Sequence, residues 1–119
     1  MNEDSLPRLD HENLDVYRLA LDFLRLAFQL MSALPRGESE LKAQLKTAAM
    51  SIPLNVAEGV GKPTVADRAR FHAIARGSAM ECAALIDVCL VAGYISEVDA
   101  RQCKHLLVRI VAMLTKMCR

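Results

Sequence analysis

Hydrophobic positions recur at helical spacing along most of the chain, and no segment alternates in the way typical of a β-strand. A first helix is predicted from Leu14, with apolar residues at alternating steps of four and three. This stripe is Val16, Ala20, Phe23, Ala27, Leu30 and Leu34. A second stripe with the same steps consists of Tyr17, Leu21, Leu24, Phe28 and Met31. Because a surface helix normally buries one face, the second stripe predicts a further neighbour, such as another subunit.

The second helix is predicted from Ser39 to Val60, and it contains a proline. Its apolar positions are Leu45, Ala49, Ile52, Val56 and Val60. Pro53 lacks the N–H that would reach the carbonyl of Ala49, at a cost of about 3 kcal/mol in a regular helix. Since the apolar spacing continues past it, we predict one helix that is bent at Pro53. Gly59 and Gly61 are predicted to end this helix.

A third helix is predicted over residues 65–92, after Thr64, and a fourth begins at Ser96, after a left-handed turn at Gly93. The buried stripe predicted for the third helix is Ile74, Ser78, Glu81, Leu85, Val88 and Ala92; that of the fourth is Cys103, Leu107, Ile110, Leu114 and Met117. Glu81 is therefore predicted to be buried and to need a partner. Its removal would then destabilise the fold more than removal of Glu58.

Four long helices joined by short loops predict an all-α fold, an antiparallel up-down-up-down four-helix bundle. The bundle is predicted to span residues 13–119, after a flexible tail of residues 1–12. With 119 residues, the chain is expected to form one domain.

The composition of the chain indicates the cellular compartment in which the protein is expected. No apolar run reaches the roughly 18–20 residues that cross a membrane, and the acidic start of the chain is unlike a signal peptide. We therefore expect a cytoplasmic protein without membrane contact. The 4 cysteines show no zinc-like spacing and are expected to be reduced thiols within helices.

Polar residues near the proline are the first candidate site. Asn55, Glu58 and Glu81 fit a small-ligand or acid–base site, but they equally fit a polar clamp that holds the bend and the register of two helices. No Glu-x-x-His unit supports a di-metal centre, and His72 is expected at the surface or at an interface. No recognisable nucleophile motif is present. The sequence thus predicts no catalytic residue, no metal and no cofactor.

Basic residues of the last helix are the second candidate site. The net charge is +1, yet residues 1–40 contain 8 acids and 4 bases, and residues 41–119 contain 6 acids and 11 bases. The candidate nucleic-acid-binding residues are Arg101, Lys104, His105, Arg109, Lys116 and Arg119. Such a face suits phosphate contacts. The alternative is an ordinary solvated face, balanced by the acidic first forty residues.

A motif around the proline resembles the signature of a bacterial four-helix-bundle family, the 23S rRNA intervening-sequence proteins. The residues that carry the resemblance are Ser51, Pro53, Asn55, Glu58, Gly59, Gly61, Arg70, Gly77, Ser78 and Glu81. Leu14-Asp15-Val16-Tyr17 and Gly93-Tyr94-Ile95-Ser96 extend it over about residues 12–118. Lys62 departs from the pattern, since the family usually has arginine there, and the loop at Pro35-Arg36-Gly37 is short and differently composed.

The resemblance implies an oligomeric state for the protein, but it does not imply a particular reaction. Members of the family, and the similar accessory protein of diversity-generating retroelements, form homopentamers, and the retroelement relatives are basic and associate with nucleic acid. The family name describes a genomic location, not an activity. The leading hypothesis is a non-enzymatic homo-oligomeric scaffold, most plausibly a pentamer, with RNA or a nucleic-acid-protein complex as partner. Alternatives are a protein-interaction adaptor without nucleic-acid contact and a small-ligand site at Asn55, Glu58 and Glu81.

Overall fold

Four α-helices make up most of the chain in the computed structural model, which describes residues 6–119. They are α1 (Asp15–Ala33), α2 (Ser39–Val60), α3 (Val65–Val91) and α4 (Glu97–Met117), with a short 3-10 helix, Asp10–Asn13, ahead of α1. Residues 6–119 include no β-strand. The predicted all-α class with four helices is confirmed.

The helices pack in a closed order. Each one contacts the next along the chain, and α4 also contacts α1. Within the described residues, the backbones of α1 and α3 do not meet, nor do those of α2 and α4. The result is a helical bundle in which α1 and α3 lie at opposite corners.

The core is built from the apolar stripes of α1, α2 and α4, as predicted. Every residue of the first stripe of α1 is buried, and Phe23, Ile52 and Ile110 are completely so. Only the last residues of the other two stripes, Val60 and Met117, are half-buried. In these three helices, polar residues lie on the side opposite the stripe, so the pattern of polar and apolar residues identifies the face that is buried.

The stripe predicted for α3 was mostly wrong, since only Leu85 of its six residues is buried. Ile74, Glu81 and Val88 are exposed, whereas the buried residues of α3 are His72, Ala75, Ala79, Cys82, Leu85, Ile86 and Cys89. Both sets have alternating steps of about four and three, and α3 is apolar on nearly all sides. Hydrophobic periodicity therefore could not select the inward face of this helix.

The helix ends follow the capping residues. The Thr64 and Ser96 hydroxyls each accept a bond from the backbone N–H three residues on, at 3.1 Å, and Gly93 has the predicted left-handed backbone with φ 78°. At Gly61, the residue after α2, φ is −76°, so this helix ends without a left-handed glycine. Pro63 follows two residues later and cannot continue the helix.

Two features expected from the sequence, the bend at Pro53 and the flexible tail, stay predictions. Pro53 lies buried inside α2, which continues on both sides of it, and the bend there stays a prediction. The tail predicted over residues 1–12 includes residues 1–5, which lie outside the described residues. Its last residues enter the 3-10 helix Asp10–Asn13, which contacts α1 and α2.

Candidate functional site

Three polar side chains link α2 and α3 beside the proline. The Ser51 and Ser78 hydroxyls lie 2.7 Å apart and share a hydrogen bond. Asn55 Nδ2 donates to the Ser51 backbone oxygen and to Ser51 Oγ, both at 2.8 Å. All three side chains are half-buried. The hydrogen bonds therefore join the two helices one half-turn from Pro53.

This arrangement joins α2 to α3 as a polar clamp would, but through Ser51 and Ser78 and without Glu81. Pro53 removes the backbone donor to the Ala49 carbonyl, and the Asn55 side chain donates to the Ser51 carbonyl, two residues further along the helix. Both hydrogen bonds that Asn55 Nδ2 donates stay within α2, and the Ser51 hydroxyl is hydrogen-bonded to Ser78 of α3. The donors that a ligand would use are thus already committed within the protein.

Glu58 and Lys62 lie on the next turn, where they form an ion pair of 3.2 Å. The Lys62 ammonium also lies 5.0 Å from the centre of the Phe71 ring, and the Arg70 guanidinium lies 4.7 Å from the same centre. The aromatic ring holds both cations near the end of α2 through cation–π attraction. The resemblance to the family includes Arg70-Phe71, but the sequence did not predict that the Phe71 ring contacts Lys62.

Glu81 does not join these polar residues near the end of α2, because its side chain is exposed to solvent. The side chain lies on the solvent side of α3 and forms no ion pair or hydrogen bond with the described residues. Arg76, one of the nearby bases, donates instead to Thr115 Oγ1 of α4 at 2.8 Å. The prediction of a buried Glu81 with a buried partner is wrong, because the inward face of α3 was misassigned. Asn55, Glu58 and Glu81 do not converge on one site.

Gly59 of α2 and His72 of α3 lie in close contact. His72 is only 5% exposed, which corrects the expected surface position, and neither ring nitrogen has a hydrogen-bond partner in residues 6–119. A Cβ atom on Gly59 would lie 2.6 Å from His72 Nε2. The motif glycine therefore makes room for the imidazole, rather than ending the helix. Gly77 differs, because a Cβ atom there would meet nothing within 4 Å.

The outer face of α3 is a further feature that sequence reasoning missed. We define it as the exposed residues at alternating steps of four and three: Arg70, Ile74, Gly77, Glu81, Ala84 and Val88. Ile74 is 43% exposed and Val88 is 51% exposed. The signal was available in the sequence, since α3 has few polar residues to cover an outward side.

The basic residues of α4 divide into two groups. Arg101, His105, Arg109 and Lys116 are exposed on one side of the helix, and Arg119 is exposed just beyond its end. Lys104 is half-buried and forms a 2.6 Å ion pair with Asp87 of α3. It therefore points away from the others, and its charge is balanced. An open hollow of about 580 Å³ between α1 and α4 borders Arg101 and His105.

Buried thiols add no reactive group. Cys82, Cys89 and Cys103 are buried, and Cys118 is half-buried. Burial is the main cause that raises the pKa of Cys82 to about 12 and that of Cys103 to about 11, so both stay protonated at neutral pH. In residues 6–119, no three potential ligands are close enough to hold a metal ion. None of the helices described is both long and apolar enough to cross a membrane.

These features define an all-helical bundle in which Ser51, Asn55 and Ser78 bond to one another between α2 and α3. The family of 23S rRNA-intervening sequence proteins matches residues 12–116, and the chain belongs to this family. A similar fold occurs in the crystal structure of a protein of unknown function from the S23 ribosomal protein family of Bacteroides thetaiotaomicron VPI-5482. That structure has a TM-score of 0.80 and 20% identity, and the match covers 87% of this chain and 98% of that one. No curated protein matches the sequence.

Proposed function

We propose that the protein is a homo-oligomeric scaffold that catalyses no reaction and assembles as a pentamer in the cytoplasm. The observation that carries this proposal is the outer face of α3, an exposed helical stripe in which four of the six residues are small or apolar and the other two, Arg70 and Glu81, are charged. Stripes at this spacing normally pack against another helix. All four cysteines are free thiols, which supports a reducing compartment.

The proposed subunit is an antiparallel up-down-up-down bundle, bent at Pro53. Two pairs of contacts support this direction of the helices. Ser51 bonds to Ser78, and Gly59, later in α2, meets His72, earlier in α3. Likewise Arg76 bonds to Thr115, whereas Asp87, later in α3, pairs with Lys104, earlier in α4. In both helix pairs, later residues of one helix contact earlier residues of the other, as they do in antiparallel helices.

A ring with an odd number of copies needs two different contact surfaces on each subunit. A surface that packs on itself gives a twofold dimer, whereas two unlike surfaces build a ring when the rotation closes. The exposed apolar residues of α1 and of α3 lie at opposite corners of the bundle. This placement, with the resemblance to pentameric proteins, supports the proposed pentamer.

The proposal that the protein catalyses no reaction rests on the partners and positions of the candidate site residues. Glu58 is paired with Lys62, Asn55 donates to its own helix, and Glu81 lies apart on the outer face of α3. A general acid or base must be within reach of a reacting group and be supported in its protonation state. Paired and solvated carboxylates that do not converge offer no such site.

Gly77→Leu tests the assembly. Because a Cβ atom at Gly77 meets nothing within 4 Å, one chain has room for a larger side chain, and helix propensity improves. We expect the variant to keep its helical circular dichroism and melting transition but to sediment as smaller particles than the wild type. The control is Ala43→Leu, at an exposed position of α2 beside Gln44 and Lys46. Equal assembly of both variants would refute a role for this face.

RNA is the proposed partner, through the basic side of α4. Arg101, His105, Arg109 and Lys116 share one exposed side of the helix. In a ring joined through α1 and α3, α4 stays free, and each copy repeats the same side. Repetition multiplies the positive charge along one surface of the particle, which suits phosphate binding without sequence preference. Adaptor function without nucleic acid is the alternative.

A filter-binding titration at several salt concentrations tests RNA binding. The variant replaces Arg101, Arg109 and Lys116 by alanine, and the control replaces Arg36, Lys42 and Lys46. Loss of three phosphate contacts should weaken binding and reduce the slope of log affinity against log salt by roughly 2 per bound chain. The control should bind as the wild type does. If the two variants bind alike, or if no protein binds at low salt, the adaptor function replaces RNA binding.

A further inference from the structure

The outer face of α3 combines three properties that its own chain does not use. Its residues follow coiled-coil spacing, Gly77 and Ala84 are small and leave open space above the helix, and Glu81 is a charge without a partner in the described residues. A glycine in the middle of an exposed helix costs about 1 kcal/mol relative to alanine. Close approach of another helix is the usual reason for such a residue.

α1 presents the complementary features on the opposite corner of the bundle. Its second stripe is only partly covered, with Leu21 38% and Phe28 43% exposed. An open hollow of about 500 Å³ on this side is lined by Leu21, Leu24, Arg25, Phe28, Gln29 and Ser32. We call this lining the outer face of α1. It has the same coiled-coil spacing as the outer face of α3, larger apolar side chains, and a positive charge at Arg25.

We infer that the outer face of α3 in one copy docks onto the outer face of α1 in a second copy, with Glu81 beside Arg25 of that second copy. This inference rests on the proposed self-association and names the surfaces that achieve it. In this contact, the large residues of α1, of which Phe28 is the most prominent, pack over the small residues Gly77 and Ala84. Alternation of small and large residues across facing helices is how such interfaces interlock.

The charges favour this pairing over contact between two α3 faces. Arg25 makes only a long contact of 3.4 Å with Asp22, and both side chains are largely exposed. Such surface pairs contribute little, so the Arg25 guanidinium can bond to a new carboxylate at small cost. Docking covers Glu81 with apolar neighbours, where a paired charge fixes register and excludes other partners.

Opposite placement of the two faces makes the contact head-to-tail. Each copy offers one outer face of α3 and one outer face of α1, and the backbones of these helices do not meet in the described residues. A copy can therefore dock to two others at once without rearranging its core. Successive contacts of this kind generate a ring when the rotation between copies closes.

Charge reversal tests the inferred pair. Glu81→Arg and Arg25→Glu each place like charges together, and we expect either to raise the dissociation constant of the assembly about tenfold or more. The double variant Glu81→Arg/Arg25→Glu restores opposite charges and should return to within roughly threefold of the wild type. Glu40→Arg, the same charge change at an exposed position of α2, is the control. Sedimentation over a dilution series measures all four, and circular dichroism checks the fold.

The outcomes separate this inference from the proposed assembly. A monomeric wild type overturns both. An oligomeric wild type with no effect of the single reversals, or with no recovery in the double variant, overturns the inferred pair alone. Recovery of Glu81→Arg by Arg70→Glu instead of Arg25→Glu would mean that α3 faces pack on each other, which also overturns it.

Discussion

Gly59 shows how a single motif residue serves the fold of this protein. In the sequence it resembles a helix-stop signal, yet it lies inside α2 with ordinary helical backbone. Its role is to admit the buried ring of His72, which approaches so closely that a methyl group does not fit. Glycine at a helix crossing commonly permits this kind of close approach.

Gly59→Ala is expected to destabilise the protein. The clash with His72 should cost about 1–3 kcal/mol, which exceeds the gain in helix propensity of about 1 kcal/mol. Gly61→Ala is the matched control, because its Cβ atom would lie 3.5 Å from the nearest atom, an ordinary contact. Urea unfolding measures both variants. Equal midpoints for Gly59→Ala and Gly61→Ala would contradict the contact.

A double-variant cycle refines this test. If the clash is with the imidazole, His72→Ala should cost less free energy in the Gly59→Ala protein than in the wild type. Additive effects would mean that the two residues do not interact. Neither the burial of His72 nor its contact with Gly59 could be predicted from the sequence, because both depend on which side of α3 faces inward.

At the scale of the elements, the predictability of each helix depends on its polar residues. α1, α2 and α4 carry charged or amide side chains on one side, so their buried stripes follow from periodicity. α3 has a stretch, Ala79–Ala92, with only Glu81 and Asp87 as charges, so two apolar stripes compete. The structure shows that the stripe with His72 and Cys82 faces the core, while of the stripe with Glu81 only Leu85 is buried.

The link between α2 and α3 is therefore expected to depend on the serines and not on Glu81. Ser51→Ala or Ser78→Ala breaks their shared bond and should lower the free energy of unfolding by about 1 kcal/mol. Glu81→Ala, at an exposed position, should change the unfolding free energy of the separated chain by less than about 0.5 kcal/mol. Chemical denaturation at low protein concentration measures these changes. A Glu81→Ala loss as large as that of Ser51→Ala would contradict this assignment.

Of the candidate site, the sequence named the residues but not their contacts. The clamp was predicted from Asn55, Glu58 and Glu81, whereas in the structure Asn55 bonds to Ser51, Ser51 bonds to Ser78 of α3, and Glu81 is exposed. The contacts of the Phe71 ring with Lys62 and Arg70 were likewise not predicted. Spacing along one helix places residues on a common face, but contacts between helices depend on their rotation. That rotation is fixed by packing of the whole core.

At the scale of the whole molecule, the exposed large apolar residues are most numerous on α3, and α1 has two of them, Leu21 and Phe28, at the opposite corner. The fourth helix also has two, Val98 and Val108, in addition to its exposed bases. In the proposed assembly, α1 and α3 form the contacts between subunits and α4 is left for RNA. The acidic first forty residues explain why the net charge of the chain is only +1.

The proposed assembly implies that the subunit does not occur as a monomer at micromolar concentration. Light scattering of the purified wild-type protein at that concentration measures its mass directly. We expect a particle of about five times the 13.1 kDa of one chain, and a smaller particle for Gly77→Leu under the same conditions. A wild-type mass equal to that of a single chain would contradict it.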